Sequence, residues 1–176
     1  MKTKLLFILF LLTTISPLKS QESKLMNNPF FKTWDTPFQT PPFKEIKNEH
    51  FLPAIEEAIK YEENEIDKIA NNPELPTFEN TIEALELSGE MLDKVTSVFY
   101  GLNGANTNDE LQAIARKITP MLSKHRDDIY LNEKLFQRIK SLYEQKEKLN
   151  LTDEQKRLLE FYYIDFVRSG ANLSET

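Results

Sequence analysis

From Asn48 onward, apolar residues recur at the three- and four-residue spacing of a helix face. Phe51, Ile55, Ala58, Ile59, Ile66 and Ile69 mark a first helix. It is expected to begin near Glu49 to Pro53, since proline fits a first turn, and to stop before Asn71-Asn72-Pro73. A second stripe holds Ile82, Leu85, Leu92, Val95, Phe99 and Leu102. Read as one helix, it runs for about seven turns, from just after Pro76 to around Gly101–Gly104. Thr77 is placed to cap its start, and Glu79 and Glu83 sit near the positive end of its dipole. The third helix is expected to open on a capping box of Thr107 with Glu110. Its stripe is Leu111, Ile114, Ala115, Ile118, Leu122, His125 and Ile129, and Pro120 should kink or divide it. Asn132 caps a fourth helix faced by Leu135, Ile139, Leu142 and Leu149, with Leu131 and Phe136 spaced as a hydrophobic staple. Thr152 with Gln155 opens a fifth. Strand-period alternation and internal repeats are absent from the pattern, and the links are short. The class this predicts is an all-α antiparallel helical bundle.

Two stretches depart from that pattern. In the fifth helix Leu158, Leu159, Phe161, Tyr162, Tyr163, Ile164, Phe166 and Val167 are interrupted only by Glu160 and Asp165. A helix apolar on nearly every side is expected to be covered on every side. Four preceding helices cannot do that, so the bundle reads as part of a larger folded body. At the other end, Met1–Ser20 has a basic start (Lys2, Lys4), an unbroken apolar run from Leu5 to Leu12, a break at Pro17 and small Ser20 before Gln21. This is the pattern of a cleaved secretory leader. The run is well short of the roughly 20 residues a membrane span needs. The expected divisions are a leader over 1–20, an extended arm over 21–47 and a helical domain over 48–176. The arm interleaves Pro29, Pro37, Pro41 and Pro42 with Phe30, Phe31, Trp34, Phe38 and Phe43. It is too apolar for solvated disorder and is expected to lie along a surface with its rings in grooves.

Composition narrows the functions. The chain carries 28 acidic and 22 basic side chains, a net charge of −6. Removing the leader would take Lys2, Lys4 and Lys19 with it and leave the rest more acidic. Such a chain is poorly suited to neutralising phosphates, so nucleic acid is not an expected partner, nor is stable membrane insertion after leader removal. With no cysteine there are no disulfides, no thiolate catalysis and no Cys-ligated metal. The expected location is periplasmic or secreted.

Candidate chemistry is sparse. The two histidines, His50 and His125, stand alone, and neither has a second histidine four residues away. A zinc site of the H-E-x-x-H kind is therefore not formed here. His50 reads as a capping residue, and His125 as a core histidine that Asp128, three residues on, is placed to orient. The carboxylates Glu56, Glu57, Glu62, Glu63 and Glu65, and Glu83, Glu86 and Glu90, read as solvated helix faces. No serine sits in a G-x-S-x-G elbow. The residues alone assign no catalytic, cofactor-binding or metal-binding position.

A resemblance adds to this. Pro76-Thr77-Phe78-Glu79-Asn80-Thr81-Ile82-Glu83-Ala84-Leu85-Glu86, followed by Ser88-Gly89 and Val98-Phe99, resembles a signature of the zinc metallopeptidase family of thimet oligopeptidase, oligopeptidase A and peptidyl-dipeptidase Dcp. Phe43-Lys44-Glu45-Ile46, Glu49-His50-Phe51-Leu52-Pro53-Ala54, Pro120-Met121-Leu122-Ser123, Leu149-Asn150-Leu151 and Asp165-Phe166-Val167-Arg168-Ser169-Gly170-Ala171 fit in the same order, closest to the Dcp-type branch. The resemblance implies a neurolysin-like fold in which this chain is the N-terminal lobe and one wall of a substrate channel for short peptides. It implies zinc held by two histidines of H-E-x-x-H and a later glutamate, with the motif's glutamate activating the zinc-bound water. None of these positions matches a residue here. The chain would then be a fragment, inactive without a C-terminal catalytic lobe. The alternative is a non-catalytic exported helical binding or scaffolding domain derived from that lobe.

Overall fold

Helix α1, Asn48–Ala70, is the spine of the molecule. The structure, a computed structural model, describes residues 27–173; the expected leader over 1–20 lies outside the described residues. The buried stripe of α1 serves two separate cores. Its first half puts Phe51, Ala54, Ile55 and Ala58 into one core, with Leu92, Val95, Val98, Phe99, Leu111 and Ile118. Its second half puts Ile66, Ile69 and Ala70 into the other, with Phe78, Ile82, Leu85, Leu135, Phe136, Ile139, Leu142, Leu159 and Phe166. The remaining helices divide accordingly. Helix α2 is a wide π-helical segment, Phe78–Glu83, running on into Ala84–Glu86. Then come α3, Glu90–Ala105, and α4, Asp109–Tyr130. They are followed by α5, Glu133–Glu144, and α6, Asp153–Arg168. Helices α3 and α4 pack on the first half of α1, while α2, α5 and α6 gather around the second. The fold is all-α, with no strand among the described residues.

Predicted helix boundaries need correction: Leu149, placed on the face of the fourth helix, lies beyond it, since α5 ends at Glu144, and Pro53 falls in the second turn of α1 and not the first. The single seven-turn helix after Pro76 is two, because Leu87-Ser88-Gly89 turns the chain and Gly89 adopts a left-handed backbone (φ 76°). Apolar spacing ran on across the turn because both pieces bury their stripes, though in different cores. Helix α4 is capped by Asn108, whose side chain accepts from Leu111 N–H, and not by Thr107, whose hydroxyl instead bonds Asn103. Pro120 does not divide α4, which runs from Asp109 to Tyr130 as one element. The other caps follow the sequence. Thr77, Asn132 and Thr152 each accept a backbone N–H three residues on, and Gln155 returns the bond to Thr152 N–H.

Of the arm, the structure describes 27–47. Asn28 opens it, accepting from Phe30 N–H and donating to the His50 carbonyl at 2.8 Å. Phe30 is fully buried against Phe51, which meets Phe99 edge-on. Lys94 on α3 grips the arm: its Nζ donates to the Phe30 carbonyl at 3.1 Å and lies 4.1 Å from the centre of the Trp34 ring. Burial pushes the Lys94 ammonium below its ordinary range. The expectation of grooved rings thus holds for Phe30 and Trp34. It fails for Phe38, 99% exposed on a backbone of positive φ, and for Phe43, which is also exposed.

Helix α6 is covered less than its composition suggests. Only Leu159 and Phe166 are fully buried, while Phe161 is 55% exposed. Leu158, Tyr162, Tyr163, Ile164 and Val167 are only half-buried. Tyr163 stacks on Tyr143 at 3.9 Å, and the Tyr162 hydroxyl donates to Glu86 Oε2 at 2.5 Å. Burial, and then that bond, push the Tyr162 phenol well above its ordinary value.

Two outcomes follow from this packing. Gly89→Ala is expected to destabilise the fold by at least ~1–2 kcal/mol, because the left-handed backbone disfavours a side chain. The new Cβ would also stand 2.7 Å from the Glu62 carboxyl group. A shift in the urea midpoint at constant slope reads the effect. At alkaline pH the unfolded chain releases the Tyr162 proton before the folded one does, so stability falls as pH rises through about 10. Tyr162→Phe is expected to flatten that part of the stability profile.

Candidate functional site

The apolar stripe of α1 has a gap. Between Ala58 and Ile66 the helical spacing calls for a buried residue, and the chain supplies Glu62. The stripe of α4 has a matching polar position at His125. The structure brings the two together: His125 Nε2 lies 2.9 Å from Glu62 Oε2, with the side chains 4% and 15% exposed. A buried charge is tolerated only where it is paired, and this pair meets that need. Glu65, one turn further along α1, accepts the Gly89 backbone N–H at 2.9 Å. The Glu62 carboxyl group lies directly against Gly89, at the start of α3, where the helix dipole favours negative charge. Asp93, in the first turn of α3, is held above its ordinary range by burial and then by the neighbouring Glu62 charge. One side chain thus links α1, α3 and α4.

A second polar anchor holds the loop between α1 and α2. Arg138 of α5 is 8% exposed. One guanidinium nitrogen donates to the carbonyls of Asn72 and Glu74 at 2.9 and 3.0 Å, and the other to Asn80 Oδ1 at 2.9 Å. Asn80 completes the arrangement. Its Oδ1 also accepts from Thr77 N–H and the Thr81 hydroxyl, and its Nδ2 donates to the Leu75 carbonyl. The Pro-Thr-Phe-Glu-Asn-Thr segment is therefore a folding device. Thr77 and Asn80 close a capping box, Phe78 and Ile82 enter the second core, and Arg138 satisfies carbonyls that a turn leaves over.

The residues singled out in the sequence fall as follows. His50 caps α1: its Nδ1 accepts the Lys47 N–H at 3.0 Å. His125 is buried as expected, but Asp128 does not orient it; Asp128 pairs with Lys124 on the outer face, and the partner is Glu62. Glu56, Glu57 and Glu62 are half-buried, while Glu63, Glu65, Glu83, Glu86 and Glu90 are exposed. The reading of these carboxylates as merely solvated fails for Glu62 and Glu65, which make the interhelical contacts just described, and for Glu86, which accepts the Tyr162 hydroxyl. Arg138 and Lys94 gave no sequence signal, since each looks like one more surface cation. Glu62 did give one, as the polar residue on an otherwise apolar stripe.

No cluster of three or more His, Asp or Glu side chains suited to a metal ion occurs among the described residues. The side chains present do not fit a zinc site: His50 is engaged by a helix N-terminus and His125 by a single carboxylate. A groove of about 460 Å³ runs along the arm beside Trp34, Met91 and Lys94.

The chain is 43% identical to the dipeptidyl carboxypeptidase of Escherichia coli over 148 residues, 84% of this chain. It is 40% identical to the Salmonella typhimurium protein of the same name over 151 residues, and 30% identical to oligopeptidase A of Haemophilus influenzae over 135. Over these residues the chain belongs to the dipeptidyl carboxypeptidase and oligopeptidase A family. It spans only about a fifth of its relatives' length: 22% of both dipeptidyl carboxypeptidases and 20% of that oligopeptidase A. No protein-family model matches it. The segment that resembles the family signature, residues 76–86 with Ser88-Gly89, builds a helix cap and a left-handed turn.

Arg138→Ala is expected to cost about 3 kcal/mol, since it leaves two carbonyls and the Asn80 amide without their charged donor. Hydrogen exchange is expected to rise first in residues 72–80, ahead of α3 and α4. Arg138→Lys restores only part, because an ammonium lacks the planar fork.

Proposed function

We propose that this chain forms the N-terminal helical lobe of an exported zinc-dependent peptidyl-dipeptidase or oligopeptidase. In this reading the lobe is one wall of a channel that admits short, unstructured peptides. Catalysis and the zinc belong to the rest of a family-length protein, and no step of the reaction runs through the residues described here. The observation that carries the proposal is the 43% identity to a dipeptidyl carboxypeptidase extending over 84% of the chain. The architecture is consistent with such a role. Two cores share one spine, and the α1–α2 loop is pinned by a buried guanidinium, which suits a rigid wall better than a moving part. The Met1–Ser20 pattern supports export to the periplasm or beyond. Among the described residues no helix is long and apolar enough to cross a membrane.

Two measurements test this. Residues 21–176, purified and supplied with zinc, are expected to show no chelator-sensitive cleavage of a quenched fluorescent peptide. Cleavage would place the chemistry inside this chain and refute its assignment elsewhere. In a chimera, the matching segment of the Escherichia coli dipeptidyl carboxypeptidase is replaced by residues 27–173 of this chain. Release of dipeptides is expected to survive within about tenfold, a loss of some 1.4 kcal/mol in transition-state stabilisation. A chimera that folds but is inert would favour the non-catalytic binding or scaffolding role.

A further inference from the structure

One flank of α6 is left uncovered by the described residues. Leu159 and Phe166 enter the second core, Tyr163 stacks on Tyr143, and Glu160 pairs with Lys146 at 3.6 Å. Phe161 lies two residues after Leu159 and five before Phe166, spacings that turn it to the opposite side of the helix. It is 55% exposed. Leu158, three residues before it, and Tyr162, four after Leu158, are half-buried and carry the apolar surface round towards α2. There the Tyr162 hydroxyl donates to Glu86, and Leu87, the next residue, is 69% exposed. Arg157 and Arg168, four residues before Phe161 and seven after it, are exposed on the same flank. An aromatic ring set among aliphatic side chains and arginines is the make-up of a binding surface, not of a solvated helix face.

We infer that this flank, centred on Phe161, is the seat on which the remainder of a family-length polypeptide packs. The inference rests on the reading of the chain as the N-terminal lobe of such a protein. Two observations select that occupant. The segment shared with the Escherichia coli dipeptidyl carboxypeptidase is 22% of that protein, so most of a family-length chain is available to cover the face. The face is also small. Helix α6 has 16 residues, and at a rise of about 1.5 Å per residue and a width of roughly 10 Å its outer side offers on the order of 240 Å². A separate partner, a second copy of this chain included, needs about 800 Å² on each side for a stable complex. A segment of the same polypeptide needs less, since covalent linkage keeps it at high effective concentration. The chemistry of the face asks for an apolar recess that receives the Phe161 ring, rimmed by carboxylates or carbonyls that accept from Arg157 and Arg168.

The chimera of residues 27–173 with the rest of the Escherichia coli dipeptidyl carboxypeptidase reads the docking directly. Hydroxyl-radical oxidation of Phe161 and Leu158 is expected to fall at least about fivefold in the chimera relative to the free chain, because a packed centre excludes water. Phe161→Lys is expected to leave the urea midpoint of the free chain unchanged, since more than half of the side chain is already in water there. In the chimera the same change is expected to return Leu158 to within about twofold of its free-chain oxidation rate, whereas Phe161→Leu keeps it protected. The inference is overturned if Phe161 is oxidised equally in chimera and free chain, or if Phe161→Lys unfolds the free chain, which would make the ring part of this lobe's own core. It is also overturned if the free chain sediments as a dimer that Phe161→Lys dissociates, since the occupant is then a second copy. Neither free-chain measurement needs the chimera to fold. A chimera that protects Phe161 but releases no dipeptides refutes the function proposed for the chain and supports the docking. One that releases dipeptides with Phe161 exposed refutes the docking alone.

Discussion

A single helix face that must serve two hydrophobic cores is the constraint on which the rest of this molecule depends. Helix α1 is 23 residues long, enough for two clusters end to end. It buries Phe51, Ala54, Ile55 and Ala58 in one and Ile66, Ile69 and Ala70 in the other. The other helices divide between the two halves of that face, with α4 reaching both cores, since Ile129 and Tyr130 at its end pack against the second. The polar pair Glu62–His125 stands at the seam, where neither core reaches. The hydrogen-bonded pair adds a directional contact between α4 and α1 to the apolar packing. The same carboxylate lies against Gly89, so the turn that starts α3 is set by the same atoms.

The segment that carries the family resemblance plays a comparable part in the second core. Its conspicuous residues do no chemistry among the described atoms. Thr77 and Asn80 close a cap, Asn80 gathers three donors on one oxygen, and Arg138 reaches in from α5 to satisfy carbonyls 58 to 66 residues away in the chain. A wide π-helical turn at Phe78–Glu83 lets Phe78 and Ile82 enter the core while Thr81 is fully buried. Geometry this constrained leaves few substitutions free, which is a physical reason for such a stretch to be recognisable. It also fits a lobe whose proposed task is to hold a shape while catalysis proceeds elsewhere.

How far the sequence could be read depended on the range of the interactions involved. The starts of helices α5 and α6 were legible because their signals are local, Asn132 and Thr152 at caps, whereas the end of α5 was placed too late and Pro53 lies in the second turn of α1 and not the first. The break at Leu87-Ser88-Gly89 was missed because apolar spacing does not reveal that Leu85 and Leu92 face different cores. Asn108 displaced Thr107 as a cap for a similar reason. Both are sound capping residues, and the choice rests on Thr107 finding Asn103 and Gln112 instead. On α6 the apolar count overstated burial: Phe161 is exposed, and Leu158, Ile164 and Val167 are only half-buried.

The sequence by itself determined the class, the number of long helices bar one break, most of the caps and the absence of a zinc-binding motif. These follow from residue spacing and from side chains that bond within one turn of themselves. The partners of Glu62, Arg138, Lys94 and Tyr162 were decided only in three dimensions. Each lies 58 to 76 residues from at least one group it binds. Arg138 and Lys94 carry no local mark of whether they will meet water or a buried acceptor, and the place of Glu62 on an apolar stripe marks burial without naming its partner, which is settled when the helices pack.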